Sequence, residues 1–214
     1  MALELFSVGT IFFTFLGYQM SYLEFFGTLF TGASVLLAAK NKISTWWVSI
    51  IGIILYGFLF YQVSLYSDLL EQAYYFVTAF WGWYLWSNKG NKSGSTELSV
   101  SKTDLKLNII AGIILIALSA ALGFFMTKIH LIIPVMFPVK ASLPYLDAFT
   151  TVMSFVATIY LAKRKIENWY LWIAVDIIGI WLYWEKGVGF LSLLYFAFLI
   201  NAFYGFAKWK KEMK

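Results

Sequence analysis

The chain reads as an all-α integral membrane protein of two parallel three-helix bundles joined by a linker helix (3+1+3), with an additional N-terminal helix. Three observations lead there. The 214 residues are 61% hydrophobic and 13% charged, and include 10 Trp, 14 Tyr and 21 Phe. Apolar runs recur along the chain, each near the roughly 20 residues that cross a hydrocarbon core about 30 Å thick. The second half also repeats the first: residues 22–86, moved forward by 123, fall on 145–209 without a gap. Matched positions include Tyr22-Leu23-Glu24 with Tyr145-Leu146-Asp147, Trp46 with Trp169, Gly82 with Gly205 and Trp86 with Trp209. Repeats of this kind in a multi-span chain point to transport, since two similar halves can rock about a site at their interface.

The elements follow in order. Residues 1–20 contain an apolar stretch, Leu5 to Met20, without the basic start or small-residue cleavage pattern of a signal peptide. It is expected as an N-terminal apolar helix that spans the membrane or lies in its interface. The first three-helix repeat, 21–87, holds spans at 22–39, 44–63 and 69–87. A linker, 88–146, contains a transmembrane helix at 106–127 and all three prolines, Pro134, Pro138 and Pro144. The second repeat, 147–209, holds spans at 147–162, 168–184 and 189–207, and 210–214 form a tail. Asp68 is expected to cap the third span, because its carboxylate can take free amide protons there.

Charge sets the orientation. The net charge is +5, but the cations are segregated. Lys128, Lys140 and Lys186 lie on one side of the seven-span layout, and the other Lys and Arg residues lie on the opposite side. The rich side is expected to be cytoplasmic, which places the C-terminus and the 88–104 loop on the cytoplasmic side. The basic excess therefore reports topology, and nucleic acid is excluded as a partner. Cysteine is absent, which removes disulfide and thiol chemistry. No phosphate-cradling loop, metal-ligand spacing or nucleophile with a base is evident, so no cofactor, metal or catalytic residue is expected.

The sixth span concentrates the chemistry. Trp169, Trp172, Asp176, Gly179 and Tyr183 share one helical face. A carboxylate inside a span costs about 2.5–3.5 kcal/mol on insertion scales, so it is expected to face protein or water and to mark function. Beside two indoles it suits a flat cationic ring, since aromatic faces attract cations. Trp169, near the cytoplasmic end, reads equally as part of an interfacial aromatic belt. Glu71 and Gln72 lie near the outer end of the third span, and the Gln amide can donate and accept at once. Asn201, within the seventh span, needs either a helix neighbour or a substrate. Tyr195 and Tyr183 are expected along the path, and Trp46 joins the candidates as the counterpart of Trp169. The repeat is also chemically uneven: Asp176 answers to Ile53, Trp172 to Ser49, Gln72 to Tyr195 and Thr78 to Asn201. Gly82 and Gly205 are read as points of close helix approach.

Glu167-Asn168-Trp169-Tyr170-Leu171-Trp172 followed by Asp176 resembles the NWxxW segment of PnuC-type vitamin transporters. Tyr66-Ser67-Asp68-Leu69-Leu70 with Gln72, and Gly82-Trp83-Tyr84 with Trp86, resemble further motifs of that family, in its order. The resemblance runs from near residue 20 to near residue 210. It implies a SWEET-like fold, a homotrimer, and import of nicotinamide riboside by facilitated diffusion, with thiamine-transporting relatives. It also implies functional coupling to a cytosolic kinase that traps the product. The family's ligand-contacting motifs carry over to Gln72, Trp169 and Trp172. Asp176 stands where some nicotinamide riboside members have Asn, and an apolar residue precedes the Gln in some comparisons where this chain has Glu71. Both departures add negative charge, which suits a small cationic vitamin without selecting one. Rival readings are a vitamin-capture subunit of an ATP-driven importer and an intramembrane enzyme using Glu71 and Asp176.

Overall fold

The computed structural model describes residues 6–15, 17–62, 66–88, 99–135, 137–138, 140–141, 143–185 and 189–213. Among the described residues, two short strands, β1 (Ile11–Phe15) and β2 (Tyr18–Ser21), precede seven helices. The helices are α1 (Tyr22–Ala39), α2 (Ser44–Gln62), α3 (Tyr66–Asn88), α4 (Leu105–Ile132), α5 (Pro144–Ala162), α6 (Glu167–Glu185) and α7 (Gly189–Glu212). They fall into two compact units, 1–97 and 98–214. In the first, α2 packs on both α1 and α3; in the second, α4 packs on α5, α5 on α6 and α6 on α7. Among the described residues, α1, α2, α4 and α5 are long and apolar enough to cross a bilayer. α3 and α6 carry several Trp and Tyr and two or more acidic side chains each, which lowers their hydropathy.

The expected N-terminal helix is replaced by a hairpin. Ile11, Phe12, Phe13, Thr14 and Phe15 are β-branched or aromatic, types that suit a pleated strand. Gly17, at φ 82°, supplies the left-handed backbone position of the turn. β2 then runs directly into α1, whose N-cap Ser21 accepts the Glu24 N–H at 3.2 Å. The Ser21-to-Glu24 spacing is that of a capping box, but the Glu24 carboxylate turns away to accept from the Tyr18 hydroxyl. Burial and that carboxylate together push the Tyr18 phenol above its ordinary pKa.

Three helix limits also differ from expectation. α4 continues to Ile132, stopping just before Pro134, whose ring disfavours helical backbone in the residue ahead of it. α7 runs on to Glu212. α3 starts at Tyr66, so Asp68 lies inside its first turn rather than capping it; the Asp68 side chain is outside the described residues.

The repeat extends to individual hydrogen bonds. After α1, Asn41 N–H donates to Ala38 O at 2.9 Å and Lys42 N–H to Leu37 O at 2.9 Å. After α5, Arg164 N–H donates to Leu161 O at 2.9 Å and Lys165 N–H to Tyr160 O at 2.8 Å. Each is a Schellman turn, with Asn41 (φ 56°) and Arg164 (φ 49°) in the left-handed position. Beyond each turn an indole locks the bundle. Trp46 stands edge-on to Trp86 (5.4 Å, 87°) and Trp169 edge-on to Trp209 (5.4 Å, 89°). A Cβ at Gly82 would overlap the Trp46 ring, and one at Gly205 the Trp169 ring. The expected close approach at both glycines is therefore present, and an indole fills it.

The second unit adds a polar strap. Ser101 pairs with Lys165 as a parallel bridge, and Lys165 Nζ donates to Ser101 Oγ at 2.9 Å. Glu167 accepts the Thr103 N–H at 2.8 Å and the Thr103 hydroxyl at 3.2 Å. Tyr160 donates to Asn108 Oδ1 at 2.9 Å. The segment entering α4 is thereby tied to the α5–α6 turn.

Gly205→Ala is expected to destabilise the purified protein by about 1–3 kcal/mol, the usual penalty for overpacking. Gly112→Ala, where an added Cβ meets nothing within 4 Å, should leave thermal unfolding unchanged.

Candidate functional site

The seam between α6 and α7 is antiparallel. Trp169 lies against Gly205, Tyr170 against Phe206 (5.0 Å between ring centroids), and Gly179 against Tyr195. A Cβ at Gly179 would overlap the Tyr195 ring, so glycine is what admits the tyrosine there. One residue beyond Gly179, Ile180 O accepts the Ser192 hydroxyl of α7 at 2.9 Å. In this register Asp176, three residues before Gly179, falls near the level of Phe198, between Tyr195 and Asn201.

Asp176 is 3% exposed. Among the described residues no hydrogen bond or ion pair reaches its carboxylate. Removing a charge from water without a partner is costly, which makes a carboxylate within a span a candidate functional group. Trp172, one turn away, is half-buried and packs on a core cluster of Leu115, Val152, Met153 and Val175, as does Tyr195. Asn201 is buried at 7% exposure. The second unit thus brings Asp176, Trp172, Tyr195 and Asn201 to one side of α6 and its seam with α7. The Tyr183 side chain lies outside the described residues.

Trp169 has another setting. It is 2% exposed, enclosed by Gly205 and Trp209. Trp46, at 3% exposure, is enclosed in the same way by Gly82 and Trp86. Helix packing accounts for both rings. Asn168, from the same motif, is fully buried and donates through Nδ2 to Lys165 O at 2.6 Å, bracing the turn before α6. Gln72 and Glu71 belong to the first unit, on α3, and both are half-buried. Among the described residues the Gln72 carboxamide forms no hydrogen bond.

Two features escaped the sequence reading. Ser192 aligns with Leu69, the same polar-for-apolar mismatch that singled out Asp176, and it pins α7 to α6. In the first unit, Tyr56 shares a 2.7 Å hydrogen bond with Thr28, and its ring lies over Gly27. Its counterpart is Gly179, so each bundle places a tyrosine on a glycine from a different helix. Two shallow clefts, of about 420 and 490 Å³, lie along α4 and its seam with α5. They are lined by residues such as Ile116, Ala120 and Phe149, do not include Asp176, and offer no charge to a polar ligand.

An unpartnered buried carboxylate should cost stability in the ligand-free protein. Asp176→Asn is expected to raise the thermal midpoint, corresponding to about 1–3 kcal/mol, whereas Trp172→Ala should lower it through lost packing. Differential scanning fluorimetry of the purified variants reads both directions.

Comparison with known proteins adds an independent line. The family described as nicotinamide mononucleotide transporter matches residues 21–211. The chain is 29% identical over 209 residues to the nicotinamide riboside transporter PnuC of Escherichia coli K12, covering 90% of this chain and 87% of that protein. It is 29% identical over 187 residues to the Neisseria mucosa protein of the same name, covering 84% and 68%. It is 25% identical over 177 residues to the riboflavin/roseoflavin transporter RibM of Streptomyces davaonensis, covering 81% and 77%. A crystal structure of the vitamin B3 transporter PnuC superimposes with a TM-score of 0.68 at 24% identity, covering 89% of this chain and 81% of that one, a likeness of fold. The match across residues 21–211, with these relatives and this fold, makes the chain a multi-pass membrane protein belonging to the nicotinamide mononucleotide transporter family.

Proposed function

We propose that the protein is a uniporter importing nicotinamide riboside by facilitated diffusion, with alternating access between two three-helix bundles. The observation that carries this reading is the buried Asp176 carboxylate without a protein partner, one turn from the half-buried Trp172. A flat pyridinium ring stacks on an indole and offsets a carboxylate, and desolvation strengthens both effects. Asn201 and Gln72 hydrogen-bond the amide or ribose groups, and Tyr195 and Tyr183 line the path. Trp169 and Trp46 hold the bundles in shape and contact the ligand at most through their edges. Glu71 attracts the cation at the outer mouth.

The names of the relatives support a vitamin of this size. The uncompensated carboxylate favours a cation over a neutral flavin. Thiamine is the second reading, because it is also a cationic aromatic and satisfies the same two residues. Substrate moves down its gradient, and phosphorylation by a cytosolic kinase keeps the product inside. The working assembly is a homotrimer in a bacterial cytoplasmic membrane, with the lysine-rich C-terminus inside.

Purified protein alone in proteoliposomes tests the proposal. Uptake of labelled nicotinamide riboside is expected to be saturable, to resist excess thiamine and to deliver unmodified label. Trp172→Ala should cut uptake about tenfold or more, corresponding to at least ~1.4 kcal/mol. Entry of thiamine without nicotinamide riboside would move the substrate assignment to thiamine. Binding without flux would indicate a capture subunit, and altered label an enzyme.

A further inference from the structure

The N-terminal hairpin takes no part in the site above, and its composition is unusual. Residues 6–20 contain no charged side chain. Strand pairing sets Phe13 opposite Met20 and Phe15 opposite Tyr18, with Thr14 opposite Gln19 between them. Alternation therefore gives one face of Phe13, Phe15 and Tyr18 with Met20 buried at its base, and an opposite face of Thr14 and Gln19 with Phe12 at its edge against α1. Phe15 is 64% exposed, and Phe13 and Tyr18 are about two-fifths exposed.

Neither water nor hydrocarbon suits such a ribbon. In water it presents a contiguous uncharged aromatic face. In hydrocarbon its outer edges would leave backbone donors and acceptors without partners. The boundary between headgroups and acyl chains satisfies both halves, and aromatic side chains concentrate there.

The hairpin is also physically continuous with bilayer-length helices. Its last residue is the N-cap of α1, and Tyr22 N–H donates to Thr10 O at 3.3 Å. Phe12 packs on Tyr22 and Phe25 of α1, with ring centroids 4.6 and 4.9 Å apart. The strand's lead-in is tied to the far end of α2. Val8 N–H donates to Gln62 Oε1 at 3.1 Å, and Gln62 Nε2 donates to Phe6 O at 2.6 Å. Below it, Phe26, Leu29 and Phe58 continue the exposed apolar flank of α1 and α2.

We propose that residues 6–21 form a lipid-interface anchor, with the Phe13, Phe15 and Tyr18 face seated at the headgroup–acyl boundary and Thr14 and Gln19 turned to water. Its occupant is the bilayer itself. The device belongs to the first bundle: the aligned stretch of the second half, 134–144, begins and ends on proline and carries no strand among its described residues. It fixes the depth of the joined ends of α1 and α2, giving that bundle a reference level in the membrane.

The natural absence of cysteine makes the test direct. Thr14→Cys and Phe15→Cys each carry one nitroxide label in liposomes of phosphatidylcholine and phosphatidylglycerol. Power-saturation electron paramagnetic resonance compares collisions with oxygen, which enriches in lipid, and with a nickel chelate, which stays in water. The label at 15 is expected to show an oxygen-to-nickel ratio several-fold above that of the label at 14. Equal, water-like ratios at both positions overturn the proposal. So does spin–spin broadening at 15 that vanishes on dilution with unlabelled protein, which would assign the face to a second copy of the chain.

Discussion

Inside a bilayer a polar group has no water to replace a missing partner, and this cost organises the chain from its turns to its site. The hydroxyls within the helices mostly bond back to their own backbone. Ser34 donates to Thr31 O, Ser49 to Trp46 O, Thr78 to Tyr74 O and Thr158 to Ser154 O, each between 2.7 and 2.9 Å. The turns after α1 and α5 spend their backbone groups in matching Schellman bonds. Where helices meet, glycine admits an indole that fills the space, which buries the Trp46 and Trp169 N–H groups without an acceptor among the described residues. Asp176 departs from this economy, being buried and charged in type yet unmatched among the described residues. Other buried groups also lack a partner among the described residues, such as the Trp46 and Trp169 N–H and the Ser119 oxygen, but these are neutral, whereas Asp176 is a carboxylic acid.

The two halves share a scaffold and differ in chemistry. Turn, Trp–Gly contact and edge-on Trp pair recur at a spacing of 123 residues. Upon that frame the second half substitutes Asp176 for Ile53, Ser192 for Leu69 and Tyr195 for Gln72. It also places Glu167 where the first half has Ser44, and Glu167 ties down the strap leading into α4. The repeat thus supplies a common frame on which the two halves carry different polar groups.

The parts legible in the sequence were those carried by local periodicity and by the repeat. The limits of α1 are readable because capping residues and a basic turn bound a long apolar run. The hairpin at 11–21 is not, because a short apolar stretch carries no helical period to distinguish it from strand, and its β-branched and aromatic content decides the outcome. Trp169 and Trp172 share a helix face, yet one is enclosed by Gly205 and Trp209 while the other remains half-buried. That difference depends on where glycine falls on α7, a tertiary fact beyond one helix's pattern. Ser192 passed unnoticed because a serine near a helix start is ordinary. Its mismatch with Leu69 was the available signal. Helix ends at 132 and 212 were missed because single lysines or a histidine do not stop a helix when the backbone can continue.

The central claim is electrostatic: Asp176 supplies the charge complement for a cationic ring held by Trp172. Isothermal titration with nicotinamide riboside and with its uncharged dihydro form tests it most directly, since the two differ chiefly in ring charge. The account predicts tighter binding of the cation by the native protein, and collapse of that preference in Asp176→Asn. Equal affinities in the native protein, or a preference that survives Asp176→Asn, would contradict it.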